Sequence, residues 1–152
     1  MKKKNQYLIS KKYLRKNNYH EDKTAKTESY FYKGKNLPVV NKKLINCLIF
    51  ISNFTKKSVR VNLHSNQKSK KHNMIILHRK SSEQKIHSHL KNGETVQMIK
   101  GKVKIEFFKK NLDIKENVIL DDKNKIILSI PKKTFHRYNI LSKFAIYHEF
   151  SI

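Results

Sequence analysis

The chain has 152 residues, with 35 Lys and Arg against 11 Asp and Glu, and a single cysteine. That length suits one domain with an arm, and no stretch approaches the ~18 apolar residues of a spanning helix. Cys47 alone excludes a disulfide framework and a cysteine-based zinc ribbon. Met1 to Ser10 has a basic head with no apolar run behind it, so it does not read as a secretory signal and a cytoplasmic location is expected.

The net charge of +24 invites a nucleic-acid reading. However, 31 of the 35 basic residues are Lys, and only Arg15, Arg60, Arg79 and Arg137 supply the bidentate fork favoured for phosphate and bases. Lys, Asn and Ile are in excess together, as an AT-rich coding sequence writes on any protein. The charge therefore reads as a solvated lysine coat, and a nucleic-acid partner is not expected. A basic nucleic-acid-binding protein using residues 1–82 is kept as an alternative.

Residues 1–40 read as a basic, Tyr-rich N-terminal arm. They hold five of the seven tyrosines (Tyr7, Tyr13, Tyr19, Tyr30, Tyr32), and no apolar period of 3.6 or 2 persists there. The expectation is a loosely ordered arm whose tyrosines pack on the domain, and whose removal leaves that domain, residues 41–152, folded. Asn41 to Ser52 suits a short helix capped by Asn41, with Leu44, Cys47, Leu48 and Ile51 on one apolar stripe. The apolar run from Cys47 to Ile51 keeps a strand reading open. Cys47 itself reads as a small buried hydrophobe.

From residue 58 the texture becomes short β segments. Val59, Val61 and Leu63 alternate with Arg60, Asn62 and His64. Met74 to Leu77 is a buried run. Val96 and Met98, then Val103, Ile105 and Phe107, alternate on either side of Gly101, and further segments follow at 118–120, 126–130 and 144–147. Many short strands separated by turn residues indicate a sandwich or barrel.

The chemistry concentrates between His87 and Gly101. Residues two apart on a strand share a face, so His87 and His89 are expected to project together. A turn at Asn92-Gly93 then brings Glu94 back beside them. The segment Ile130-Pro131-Lys132-Lys133-Thr134-Phe135-His136 offers a third imidazole at the start of another strand. Three imidazoles and one carboxylate suit a divalent metal ion such as Fe, Mn, Ni, Co or Zn, and on an octahedral ion they leave two open positions. Arg60, Asn62, His64 and His78 are candidates to line the same cavity, and Arg60 or Arg79 to bind an anionic group of the substrate.

The spacing H-x-H-x4-E-x6-G at His87, His89, Glu94 and Gly101, followed by P-x4-H at Pro131 and His136, resembles the two signature motifs of the cupin superfamily. Lys133 stands where the second motif usually has glycine. The order of Ser58–His64, Met74, Leu77–Lys80, the histidine pair, Phe107-Phe108, Ile130-Pro131, Phe135-His136 and His148-Glu149 resembles the WbuC family of cupin-fold metalloproteins, over roughly residues 42–150. That family is found with bacterial surface-polysaccharide genes. The resemblance implies an all-β fold, a double-stranded β-helix or jelly-roll barrel, with the N-terminal helix or arm added. It implies a small metal-binding cupin associated with O-antigen, capsule or nucleotide-sugar metabolism, a sugar-related small-molecule ligand and a homodimer. Metal-assisted isomerisation or epimerisation of a sugar is the implied reaction, and a non-catalytic metal- or sugar-binding cupin is the alternative.

Overall fold

The computed structural model describes residues 2–82 and 84–151. Met1, Glu83 and Ile152 fall outside the described residues, and with them the outer ends of the expected arm and cupin domain. Two helices, α1 (Lys2–Lys16) and α2 (Lys42–Thr55), are combined with ten strands. These are β1 (Tyr19–Glu21), β2 (Glu28–Tyr32), β3 (Val59–Asn62), β4 (His72–Arg79), β5 (Glu94–Lys100), β6 (Lys102–Phe108), β7 (Ile114–Asp121), β8 (Ile127–Ile130), β9 (Phe135–Ile140) and β10 (Phe144–Ser151).

The strands form a seven-stranded sheet, ordered β1-β2-β3-β4-β10-β5-β8, and a three-stranded sheet, ordered β7-β6-β9. Val96, Met98, Val103, Ile105, Leu120, Ile130, Tyr138, Ile140, Ala145 and Tyr147 belong to one buried cluster drawn from both sheets. A second cluster joins α1 and α2 to the large sheet through Leu14, Leu44, Leu48, Ile51, Val59, Val61, Ile75, Leu77 and Ile146. Neighbours on β4 therefore serve different cores: Met74 and Ile76 the first, Ile75 and Leu77 the second. This is why Met74–Leu77 is apolar without alternation, as expected of a strand covered on both faces.

The helix expected from Asn41 forms. The Asn41 side chain accepts the Leu44 N–H at 2.9 Å, satisfying one of the orphan donors of the first turn. Leu44, Cys47, Leu48 and Ile51 are all buried, so the helical stripe prevails over the strand reading. Lys56 ends the helix in the left-handed conformation (φ 61°), its N–H returning to Ser52 O at 2.9 Å.

The expectation of a loosely ordered arm is corrected. Residues 2–16 are helical, and β1 and β2 extend the large sheet, with β2 running parallel to β3. Leu14 is fully buried, and Tyr19 and Tyr30 are 4% and 2% exposed. Tyr7 stacks on Phe54 of α2 at 4.3 Å between ring centroids. Asn62 rivets β2 to β3, its side-chain amide donating to Ser29 Oγ at 3.2 Å and to Tyr30 O at 2.9 Å. No helix among the described residues is long and apolar enough to cross a membrane.

Candidate metal centre

The four residues singled out by spacing meet. Ligand atoms of His87, His89, Glu94 and His136 all lie within 4.8 Å of one another. Their backbone differs from the expected regular strand: His87 makes only an isolated bridge, to His136, and His89 lies outside the named strands. Three backbone bonds replace the ladder. His87 N–H donates to His136 O at 3.0 Å, His136 N–H to His87 O at 2.9 Å, and Lys133 N–H to His89 O at 2.7 Å. Glu94 opens β5 after the Asn92-Gly93 turn. A Cβ on Gly93 would come within 2.7 Å of Ile130 O, so only glycine lets the turn lie this close to β8.

Lys133 carries out the glycine's task by adopting a left-handed backbone (φ 62°). That conformation points its N–H at the His89 carbonyl, and a residue with a Cβ bears a cost of about 1 kcal/mol for it. Lys133→Gly is therefore expected to stabilise the protein by about 0.5 kcal/mol after the greater chain entropy of glycine is subtracted. A thermal melt should rise by about 1–2 °C, and Lys133→Ala should not reproduce the gain.

Second partners orient the imidazoles. His136 Nδ1 lies 2.9 Å from Thr134 O, and His87 Nδ1 lies 3.1 Å from Lys85 O. A carbonyl can only accept, so Nδ1 carries the proton and Nε2 presents its lone pair, the arrangement that metal-ligating histidines use. His136 Nε2 and His89 Nε2 lie 2.7 and 3.0 Å from the Glu94 oxygens. Both nitrogens are buried and neither meets hydrogen-bond geometry with a partner. Two ring nitrogens with no backbone or other side-chain partner converge with a carboxylate, the pattern of a ligand set whose place a proton shared with Glu94 takes in the metal-free protein. Tyr138 donates to Glu94 Oε1 at 2.8 Å. The His89 side chain is 40% exposed, against 1% for Glu94 and His136, so one side of the cluster is open to solvent.

The electrostatics follow from burial and pairing. Burial pushes the Glu94 carboxyl up, but His136 and Tyr138 outweigh it and hold it below the usual carboxylate range. Burial pushes His136 down, and its contact with Glu94 reverses the sign. Burial keeps His87 below the ordinary imidazole range, which favours the neutral form that ligates.

A cavity of about 220 Å³ adjoins the cluster and shares His87 with it. Arg60 and His78 line it, together with Gln84, Tyr138, Tyr147 and Glu149. Arg60 Nε donates to Ser29 Oγ at 3.1 Å, so β2 helps to aim this guanidinium. His78 Nδ1 meets the Tyr147 hydroxyl at 2.6 Å, and burial lowers its pKa to about 4. The other three candidates are not among the lining residues. Asn62 is buried in the β2–β3 rivet. His64 accepts the Asn73 N–H at 3.1 Å and stacks on His72. Arg79 binds Ser52 O and Oγ of α2, both at 3.2 Å. These three serve structural contacts, which the strand parity that Asn62 and His64 share with Arg60, and the place of Arg79 next to His78, did not reveal.

Sequence reasoning did not assign Glu149 to the site. Its carboxyl is pushed up to about 8, first by burial and then by the charge of Glu94. A folded-state pKa above the unfolded one contributes stability that is full at low pH and is lost as pH rises through about 8. Glu149→Gln removes that penalty. In metal-free protein its melting temperature should exceed that of the wild type at about pH 9 and match it near pH 5.

The family model described as a domain of unknown function (DUF6016) matches residues 53–120. That match is less than half of the chain; it includes His87, His89 and Glu94 and stops short of His136. No curated protein matches the sequence significantly. Among solved structures, the chain is similar to the cobalt(II) form of HppE in complex with Tris buffer, with 11% identity, 62% of this chain and 53% of that one covered, and a TM-score of 0.50. It is also similar to hydroxypropylphosphonic acid epoxidase from S. wedmorenis in complex with fosfomycin (9% identity, 54% and 43% covered, TM-score 0.46). A further match is KdgF from Halomonas sp. (14% identity, 62% and 79% covered, TM-score 0.47). The chain spans about half or less of the two former structures. At these identities the first likeness speaks for the fold alone: a mostly β, cupin-like pair of sheets with an N-terminal helix.

Proposed function

We propose that this chain is a small metal-binding cupin in which His87, His89, Glu94 and His136 hold one divalent ion. The observation that carries this is the convergence of the two buried, unpartnered Nε2 atoms of His89 and His136 on the Glu94 carboxylate, with the His87 and His136 tautomers fixed by backbone carbonyls. The donor set suits Fe, Mn, Ni, Co or Zn. Such an ion would supply Lewis acidity toward oxygen atoms of a bound ligand.

The protein's own residues define what that ligand can be. The cavity beside His87 is of monosaccharide size and below the range usual for larger ligands. Arg60 offers its guanidinium to an anionic group. Glu149, held protonated near neutral pH, and His78, held neutral, are placed to move a proton at the ligand. Together with the motif order, this supports a role in surface-polysaccharide or nucleotide-sugar metabolism of the WbuC type, through rearrangement of a carbonyl sugar, in a cytoplasmic homodimer with residues 41–152 as its cupin unit.

The test is elemental analysis of protein purified without an affinity tag, followed by a screen of monosaccharides and nucleotide-sugars for turnover. A near-stoichiometric divalent metal with turnover of a sugar is the expected result. Metal with tight sugar binding and no turnover would favour the non-catalytic cupin. Absence of metal after reconstitution with each of the five ions would overturn the reading.

A further inference from the structure

The inward face of the large sheet is mostly apolar: Ile76 of β4 lies opposite Tyr147 of β10, which lies opposite Met98 of β5. Arg60 of β3 lies opposite Ile76 and so continues that row with a charge. Its side chain is partly buried, and only Nε is engaged, by Ser29 Oγ at 3.1 Å. The Nη1 and Nη2 groups make no hydrogen bond and no ion pair among the described residues. The two other inward or cross-strand arginines differ: Arg79 Nη1 bonds Ser52, and Arg137 pairs with Glu106 at 2.7 Å. A guanidinium taken partly out of water with one of its five donors used carries a desolvation cost that nothing in the chain offsets. Glu149 lies in the neighbouring row, opposite Met74, and burial holds it protonated near neutral pH, so the Arg60 charge stays uncancelled.

The cavity of about 220 Å³ runs from this guanidinium to His87 of the metal cluster. No lysine lines it, although the chain has 31, and none of its lining residues opens a helix. One cation without lysines or a helix N-terminus suits a single negative charge better than a phosphate dianion. With Nε engaged, Nη1 and Nη2 form a planar pair that matches the two oxygens of a carboxylate. Thr27, Gln84 and Glu149 add hydroxyl, amide and carboxyl groups to the wall, suited to sugar hydroxyls. We propose that the cavity takes a monosaccharide bearing a carboxylate, with that carboxylate on Arg60 and hydroxyl oxygens directed toward the ion beside His87. The ion's end of this placement rests on the metal-binding reading above, and the Arg60 end does not. A sugar carboxylate is offered both by a free sugar acid and by its nucleotide-linked form.

The experiment titrates the full chain at physiological salt, metal-loaded and chelator-treated, with glucuronate, glucose and glucose 6-phosphate, which differ only at one carbon substituent. UDP-glucuronate and UDP-glucose form a second pair. Wild type is compared with Arg60→Gln, with Arg60→Lys, and with Lys109→Gln as a control of equal charge change on an exposed turn. Thermal melts confirm that each variant folds. Saturable binding of glucuronate or UDP-glucuronate is expected, tighter than that of its uncharged counterpart. It should weaken by about tenfold or more in Arg60→Gln, be only partly restored in Arg60→Lys, and change by about threefold or less in the control. Binding of glucuronate alone identifies a free sugar acid as the source, and binding of UDP-glucuronate alone identifies the nucleotide-linked form. Protein that takes up no metal yet binds a glucuronate probe through Arg60 upholds this proposal while the metal reading falls. Equal loss in Arg60→Gln and the control, no saturable binding of either glucuronate probe with or without metal, or glucose 6-phosphate binding as tightly with the same dependence on Arg60 would overturn it.

Discussion

Protein carrying His89→Ala will fold and lose its divalent metal. His89 is the most open of the proposed ligands, and its side chain makes no hydrogen bond that the fold relies on. Deleting it should leave the melt of the metal-free protein nearly unchanged. Metal affinity should fall by well over the 10–100-fold typical of losing an outer partner. Elemental analysis after dialysis reads the result, and equal metal content in wild type and variant would dismiss the site. The same measurement on Tyr138→Phe, which removes the hydrogen bond to Glu94, should show the smaller 10–100-fold loss.

Deleting residues 1–40 will abolish cooperative unfolding. The deletion removes Leu14, Tyr19 and Tyr30 from the second core and bares the β3 edge that β2 covers. Burial of each such side chain contributes about 1.5–3 kcal/mol, so three of them compare with much of a typical domain's total stability. Leu14→Ala alone should cost about 2–5 kcal/mol, readable in a urea titration. A truncated chain that melts with the wild-type midpoint would show the segment to be an appendage after all.

What the sequence disclosed follows from where each residue's information lies. The metal candidates were legible because their spacing is local: three lie within eight residues, and His136 follows a proline-marked turn. The β segments from Val59 onward were legible because their alternation reports one buried face. The N-terminal segment was opaque for a physical reason. α1 is held by few buried residues, Ser10 and Leu14 among them, on an otherwise polar helix. β2 is buried through Ser29, Tyr30 and Phe31 without alternation. Neither carries the periodic signal of a one-sided element. Glu149 was missed as a site residue because its role depends on a cross-strand position opposite Val96, some fifty residues earlier in the chain.

The place of β10 has a consequence for synthesis of the chain. Of the ten strands described, β10 is made after the others, yet it is central, pairing with β4 on one side and β5 on the other. Until residues 144–151 leave the ribosome, both neighbours present unpaired backbone along β10's intended slot, which invites pairing with another chain. By contrast, β2, α2 and β3 are contiguous, and their parallel pair can form early. The nascent protein thus carries a finished flank beside an unsealed gap, and closure of that gap is the step most exposed to aggregation.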